Sequence, residues 1–348
     1  MWTSRNHRPA RSQSQEFLRE KGLMAPGKRV GVIGTLVWDV IYGRGHGTAP
    51  VEEWGGATYA LSAFDAALPD DWQMVPLTKV GADLADRARA FLGTLEKVAT
   101  DATPIEVSEP NNRVVLHYQS ADRRCERLSG GVPAWSWLGL KPLLAGLDAL
   151  YVNLISGFEL DLETAQLIRA HFKGPIYCDL HSLLLAVQPD GMRTLRPLPN
   201  PAAWCRCFDF VQVNEDEMRM MARDPMGLAA VALSEGVSTL SVTMGPRGVV
   251  YFAAPGFERL SDLDRAHLQA ARGAVRTELL PAAPSRNPIE GDPTGCGDVW
   301  GATYFSRLLA GEHIAEAMDA ALVAAAKNVD HRGATGLARH LRGELSVK

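Results

Sequence analysis

No apolar run in this chain approaches the roughly 20 residues that a membrane-spanning helix needs, and no signal-peptide core stands near its start. Both absences direct the expectation to a soluble, cytoplasmic protein with no membrane partner. Cysteine is scarce: the five thiols are scattered singly apart from Cys205-x-Cys207. That spacing matches no common zinc pattern, so reduced thiols are expected. Excess positive charge is missing as well. A formal net charge of −4 offers no basic face for a phosphate backbone, and nucleic acid is not an expected partner. The P-loop pattern G-x-x-x-x-G-K-[ST] is absent, as are the H-R-D and D-F-G elements of protein kinases.

What is present suits a globular enzyme. Apolar residues make up 46% and charged residues 22%, enough for a sizeable core in one large α/β unit or two smaller domains. Residues 1–27 stand apart, with Arg5, Arg8 and Arg11 among serines and little apolar periodicity, and read as a disordered tail. Residues 28–342 form the domain, and 343–348 a short C-terminal tail. Within the domain, strand-like and helix-like segments alternate. Arg29–Thr35, Gln73–Lys79, Ala149–Asn153, Pro175–Asp179, Phe208–Val213 and Thr239–Thr243 read as short strands; Gly55–Leu68 and Asp83–Leu95 read as helices. Such alternation implies βαβ units and a parallel sheet covered on both faces. Arg113–Gln119 and Arg123–Leu128 break the series as an antiparallel hairpin, which would stand off the sheet as a flap over residues 111–130. Its apolar face is Val114, Leu116 and Tyr118.

The segment richest in chemistry is Gly291-Asp-Pro-Thr-Gly-Cys-Gly-Asp298, followed by a helix-like run to Gly311. A helix start offers unpaired N–H groups and partial positive charge, and so holds an anion without a lysine. Gly295 and Gly297 let backbone approach a phosphate closely, and Asp298 in the first turn is placed to take a proton from an attacking hydroxyl. A dinucleotide loop is the rival reading, but Trp300 stands where its third glycine belongs, and a proline-rich stretch precedes the motif instead of a strand. Asn214 and Glu217, after the Phe208–Val213 strand, have the spacing of a capping box. Ser241 to Tyr251 reads as strand, tight turn, strand, with Gly245 and Gly248 in the turn. Asp39 follows the first strand, where open α/β sheets place ligand contacts, and Gly55-Gly56 would open the next helix.

Asp-x-Thr-Gly-x-Gly-Asp near the C-terminus resembles the signature of the ribokinase-like carbohydrate kinases, the PfkB family, and the resemblance runs from about Lys28 to Arg342. Cys296 stands where members usually carry Ala. The resemblance implies a ribokinase-like α/β fold: a central, mostly parallel sheet with helices on both faces and a small β-hairpin lid, through which two copies could pair. It implies transfer of phosphate from Mg-ATP to an alcohol of a small carbohydrate-type acceptor. Asp298 would be the base, and Gly295, Cys296 and Gly297 the anion hole. Asn214, Glu217, Thr243, Gly245 and Gly248 would serve the nucleotide, with Glu217 holding Mg²⁺ through water. Asp39, Gly55 and Gly56 would contact the acceptor, and Asp292 with the Thr294 carbonyl would match a monovalent-cation site for K⁺. The family's Asn after Gly-Gly is replaced by Tyr59-Ala60, and Asp179-Leu-His181-Ser stands where many sugar kinases carry Asp-x-Asn-x-Arg. These departures leave open a nucleoside kinase, or a sugar- or nucleoside-binding sensor without catalysis.

Overall fold

A computed structural model describes residues 27–42, 50–118, 124–265, 273–287 and 291–345. The expected tail, except Gly27, and the hairpin turn at 119–123 lie outside the described residues. β1 (Lys28–Ile33) leads into β2 (Leu36–Tyr42) and β3 (Val51–Gly56), then α1 (Ala57–Ala67). β4 (Trp72–Leu77), β5 (Lys79–Gly81), α2 (Ala85–Leu92) and β6 (Ile105–Val107) follow, then β7 (Arg113–Tyr118), β8 (Arg124–Ser129) and a short α3 (Trp137–Leu140). The middle of the chain runs through β9 (Ala149–Asn153), α4 (Leu162–His171), β10 (Ile176–Asp179), β11 (Leu185–Val187), β12 (Arg193–Leu195) and α5 (Pro201–Cys205). The remainder comprises β13 (Phe210–Asn214), α6 (Glu215–Met221), α7 (Pro225–Ser234), β14 (Thr239–Thr243), β15 (Val249–Ala253) and β16 (Arg276–Leu280). It ends with α8 (Cys296–Leu309), α9 (Ile314–Val329) and α10 (Leu337–Leu341).

Eight strands form the central sheet in the order β16-β15-β14-β13-β10-β9-β1-β4. The six from β14 to β4 are parallel, and β15 and β16 close one edge antiparallel. Their apolar runs are continuous because both faces are covered. Along β9, Tyr151 packs with Phe64 of α1 and Phe305 of α8 on one face, while Leu150 and Val152 pack with Ile168 of α4 and Trp204 of α5 on the other. Successive side chains of a strand alternate faces, so one five-residue segment serves two cores. Fully buried Asp209, just before β13, ties the layers together. It accepts hydrogen bonds from Arg169 of α4 (2.6 Å), Arg265 Nε (2.8 Å) and the Ile176 backbone (2.7 Å).

Several expectations need correction. The lid is a four-stranded sheet, β3-β2-β7-β8, of which the foreseen hairpin is only half. β2 pairs parallel with β7, and antiparallel with β3. Asp39 therefore sits inside a lid strand and not at the tip of the first core strand; only Gly34 and Thr35 separate β1 from β2, which hides the crossing. Gly55-Gly56 ends β3, and only Gly56 belongs to the helix start, capping α1 at φ 61°. The Gln73–Lys79 strand breaks at Thr78, into β4 and β5.

Candidate active site

The floor of the site is the N-terminus of α8. Gly295 caps it in the left-handed region at φ 76°, and a Cβ there would come within 2.2 Å of the Tyr59 ring, so only glycine fits. Asp292 is buried behind the turn and accepts the Thr294 N–H at 2.9 Å. Asn328 of α9 braces the same turn, donating from Nδ2 to the Thr294 carbonyl (2.8 Å) and to Cys296 Sγ (3.3 Å). The backbone at Gly295–Gly297 is thus fixed from behind and partly open in front.

Asp298 lies in the first turn of α8, and its Oδ1 accepts Asn153 Nδ2 at 2.7 Å. Burial raises its pKa above the ordinary carboxylate value; the charge of His181 and the Asn153 hydrogen bond pull it partly back. Asp179 is raised too, burial again leading and His181 opposing. Gln212 of β13 ties Asp179 to the start of α8, donating to Asp179 Oδ2 (3.2 Å) and to the Gly297 carbonyl (3.0 Å) while accepting from Tyr177 OH (2.5 Å).

On the opposite wall, Asn214 and Glu217 form a reciprocal capping box at the start of α6. Glu217 Oε2 accepts the Asn214 N–H (2.8 Å); Oε1 accepts Asn214 Nδ2 (2.5 Å) and lies 3.0 Å from His181 Nδ1. Burial alone would lower the His181 pKa. The hydrogen bond to Glu217 and the charges of Glu217, Asp179 and Asp298 outweigh it and raise the value to about 9. Both Glu217 oxygens are thus occupied. No group of three His, Cys, Asp or Glu side chains among the described residues could hold a metal. The fit is to a water-mediated contact with Mg²⁺ at most, not to direct coordination.

These walls enclose a cleft of about 310 Å³, at the lower end of the range for small-molecule sites. It brings together Asp39, Gly56, Asn214, Glu217, Thr243, Gly245 and the Gly295–Asp298 segment. Gly55, Gly248 and Asp292 stay out of the lining. Gly55 matters from behind: a Cβ there would fall 1.9 Å from Asp39 Oδ2, so its bare backbone makes room for that carboxylate. Gly248 packs against the Leu280 carbonyl of β16.

At the far end, Val114 and Leu116 of β7, the expected apolar face of the hairpin, line the cleft with Val37 and Ile155, while Arg193 was not foreseen. Arg193 of β12, its side chain only 4% exposed, donates to the Ile155 carbonyl (2.9 Å) and stands 3.6 Å from Glu126 of β8. Nothing local marks Arg193 in the sequence. His181 could have been found, since a titratable residue stands where the family pattern has Asn, two positions after a strand end.

Residues 189–340 match the model of the pfkB family carbohydrate kinases. No curated protein matches the sequence. Among solved structures, a Thermotoga maritima ribokinase aligns over 91% of this chain and 98% of its own, at 17% identity and a TM-score of 0.62. A Burkholderia thailandensis nucleoside kinase in complex with inosine aligns over 89% and 94%, at 16% identity and a TM-score of 0.64. A Cryptococcus neoformans ribokinase in complex with ADP aligns over 91% and 100%, at 19% identity and a TM-score of 0.59. The chain therefore has the ribokinase fold, and its residues 189–340 match the model of the pfkB family of carbohydrate kinases.

Proposed function

We propose that this protein transfers the terminal phosphoryl group of ATP to a hydroxyl of a small carbohydrate-type acceptor bound under the lid. One observation carries the reading: a half-buried carboxylate of raised pKa, Asp298, shares a helix N-terminus with the open Gly295–Gly297 backbone inside a lidded cleft. Asp298 orients the acceptor hydroxyl and takes its proton as the oxygen attacks. The α8 N–H groups bind the phosphoryl oxygens where charge gathers, so positioning and electrostatics supply most of the acceleration. Asn153 holds the carboxylate in place. Asp39 accepts from acceptor hydroxyls, and Thr243 and Gly245 flank the nucleotide. Glu217 would hold Mg²⁺ through water, and the bound ion would supply charge neutralisation on the donor phosphates. Asp292 and the Thr294 carbonyl already accept protein hydrogen bonds, and no step is routed through K⁺.

The aliphatic walls Val37, Val114, Leu116 and Ile155 favour an acceptor with one apolar face, which keeps a nucleoside beside the sugars. The deciding experiment incubates the full chain with γ-labelled ATP, Mg²⁺ and a panel of pentoses, hexoses, sugar acids, phosphorylated sugars and nucleosides. Label transfer to one acceptor class, absent in Asp298→Asn, is expected. Nucleotide binding without transfer to any acceptor would favour a non-catalytic sensor.

A further inference from the structure

We infer that His181 is a contact of the transferring phosphoryl group, and that Glu217, the carboxylate given to magnesium by the family resemblance, serves here to hold this imidazole. The inference rests on the phosphoryl-transfer reading above.

Position is the first argument. His181 follows the C-terminal end of β10, and in open parallel sheets ligands collect at strand C-termini. Its backbone is at φ 23°, a positive value that a non-glycine residue adopts only when its surroundings impose it. The surroundings do so: its N–H donates to Asp179 Oδ1 (3.2 Å), and the next residue, Ser182, donates to the Leu154 carbonyl (3.0 Å).

Fixation is the second. Nδ1 meets Glu217 Oε1 at 3.0 Å, and Glu217 is itself held by the backbone and side chain of Asn214. The ring therefore has one orientation. Nε2 makes no hydrogen bond to the described residues, and the side chain keeps 34% of its surface open beside the cleft it lines. With Nδ1 turned to Glu217, Nε2 is the ring nitrogen left to meet a ligand.

Charge is the third. The described basic side chains lining the cleft are His181 and Arg193. Arg193 belongs to the acceptor end, tied to Ile155 and Glu126. His181 is thus the basic side chain of the phosphate end. The α8 N-terminus contributes about half a charge, while a transferring phosphoryl spreads its negative charge over three oxygens. A donor on the wall facing α8 completes the cradle.

The test compares two nucleotides on the full chain with Mg²⁺: the β,γ-imido analogue of ATP, which carries the terminal phosphoryl, and ADP, which lacks it. For His181→Gln, calorimetry should show the analogue weakened by about 10- to 100-fold, the range for losing a charge-assisted hydrogen bond. ADP should change by less than about 3-fold, as a loss confined to the terminal phosphoryl requires. Glu217→Gln should reproduce the pattern in weaker form. Equal losses for both nucleotides, or none, would overturn the assignment while leaving the kinase reading intact. If the wild-type chain binds neither nucleotide, the kinase reading falls and the role of His181 with it. A measurement without substitution guards against variants that fail to fold: in ¹⁵N-histidine-labelled wild type, the His181 Nε2 resonance should move when the analogue binds but not with ADP. Identical shifts for both ligands would also refute the contact.

Discussion

In an Asp298→Asn variant, turnover should fall by about 10²–10⁴-fold, the usual loss for a general base, while the protein becomes more stable at neutral pH. The substitution preserves shape, and the amide oxygen can still accept Asn153 Nδ2 where the carboxylate does at 2.7 Å. The kinetic loss corresponds to about 2.7–5.4 kcal/mol of barrier at ~1.36 kcal/mol per decade. The stability gain follows from burial, the leading cause of the raised pKa. An acid whose pKa is higher folded than unfolded contributes stability below its unfolded value, here 3.8. That contribution is lost as pH rises through the folded value. Above it, the folded chain bears the cost of a desolvated charge that asparagine does not carry. The melting temperatures of variant and wild type should therefore coincide near pH 3.5 to 4, within the range around that unfolded pKa, and separate as pH rises, with the variant higher. Coupled ADP-release kinetics test the first part and melting curves across pH the second. Unaltered turnover would remove Asp298 from the chemistry. A variant less stable than wild type at pH 7 would show that the carboxylate is held by its partners and not strained by burial.

Two further outcomes concern the scaffold and the lid. Asp209→Ala should cost about 3–5 kcal/mol in urea unfolding, because it strands the Arg169 and Arg265 guanidinium groups without their shared partner; a loss below ~1 kcal/mol would make the pair a surface-like interaction. Leu116→Ser should raise the acceptor KM about five-fold, for ~1 kcal/mol of lost apolar cover, and leave the nucleotide KM alone; the reverse pattern would take β7 off the acceptor side.

The core was legible wherever a strand is buried on both faces. Ala149–Asn153 and Thr239–Thr243 are bounded correctly to the residue, because an apolar run flanked by polar loops has few other solutions. The lid was legible only where it alternates. β7 shows Val114 and Leu116 against Val115 and His117, whereas β2 reads Leu36-Val-Trp-Asp-Val-Ile41 and passes for the loop after β1. Its partner β3 carries Glu52 and Glu53 and ends in two glycines, weak strand formers that suggest a helix start instead. Arg193 was invisible for a different reason: it reaches the cleft from a three-residue strand, and neither its role nor its burial follows from its neighbours in the chain.

The row of polar residues along the cleft has a simpler origin than its motifs suggest. β9, β10, β13 and β14 are adjacent and parallel, and each ends in a polar residue: Asn153, Asp179, Asn214 and Thr243. Register places Asp179 beside Asn153 on one side and beside Gln212 on the other, and Asn214 beside Thr243. Four separate stretches of sequence therefore bring their last, hydrophilic residue to one edge line of the sheet, Asn214 and Thr243 two residues beyond the Asn153–Asp179 row, where the sheet stops covering its own ends and water or a ligand must take over. α8 crosses that line, and its first turn delivers Asp298 to Asn153, while Gln212 holds the Gly297 carbonyl. A polar residue closing each apolar run is readable in one dimension. Which runs become neighbours is not, since the strand order β14-β13-β10-β9-β1 is set by crossover helices packing on two faces. The site's chemistry was thus written in short motifs, and its assembly in the topology that joins them.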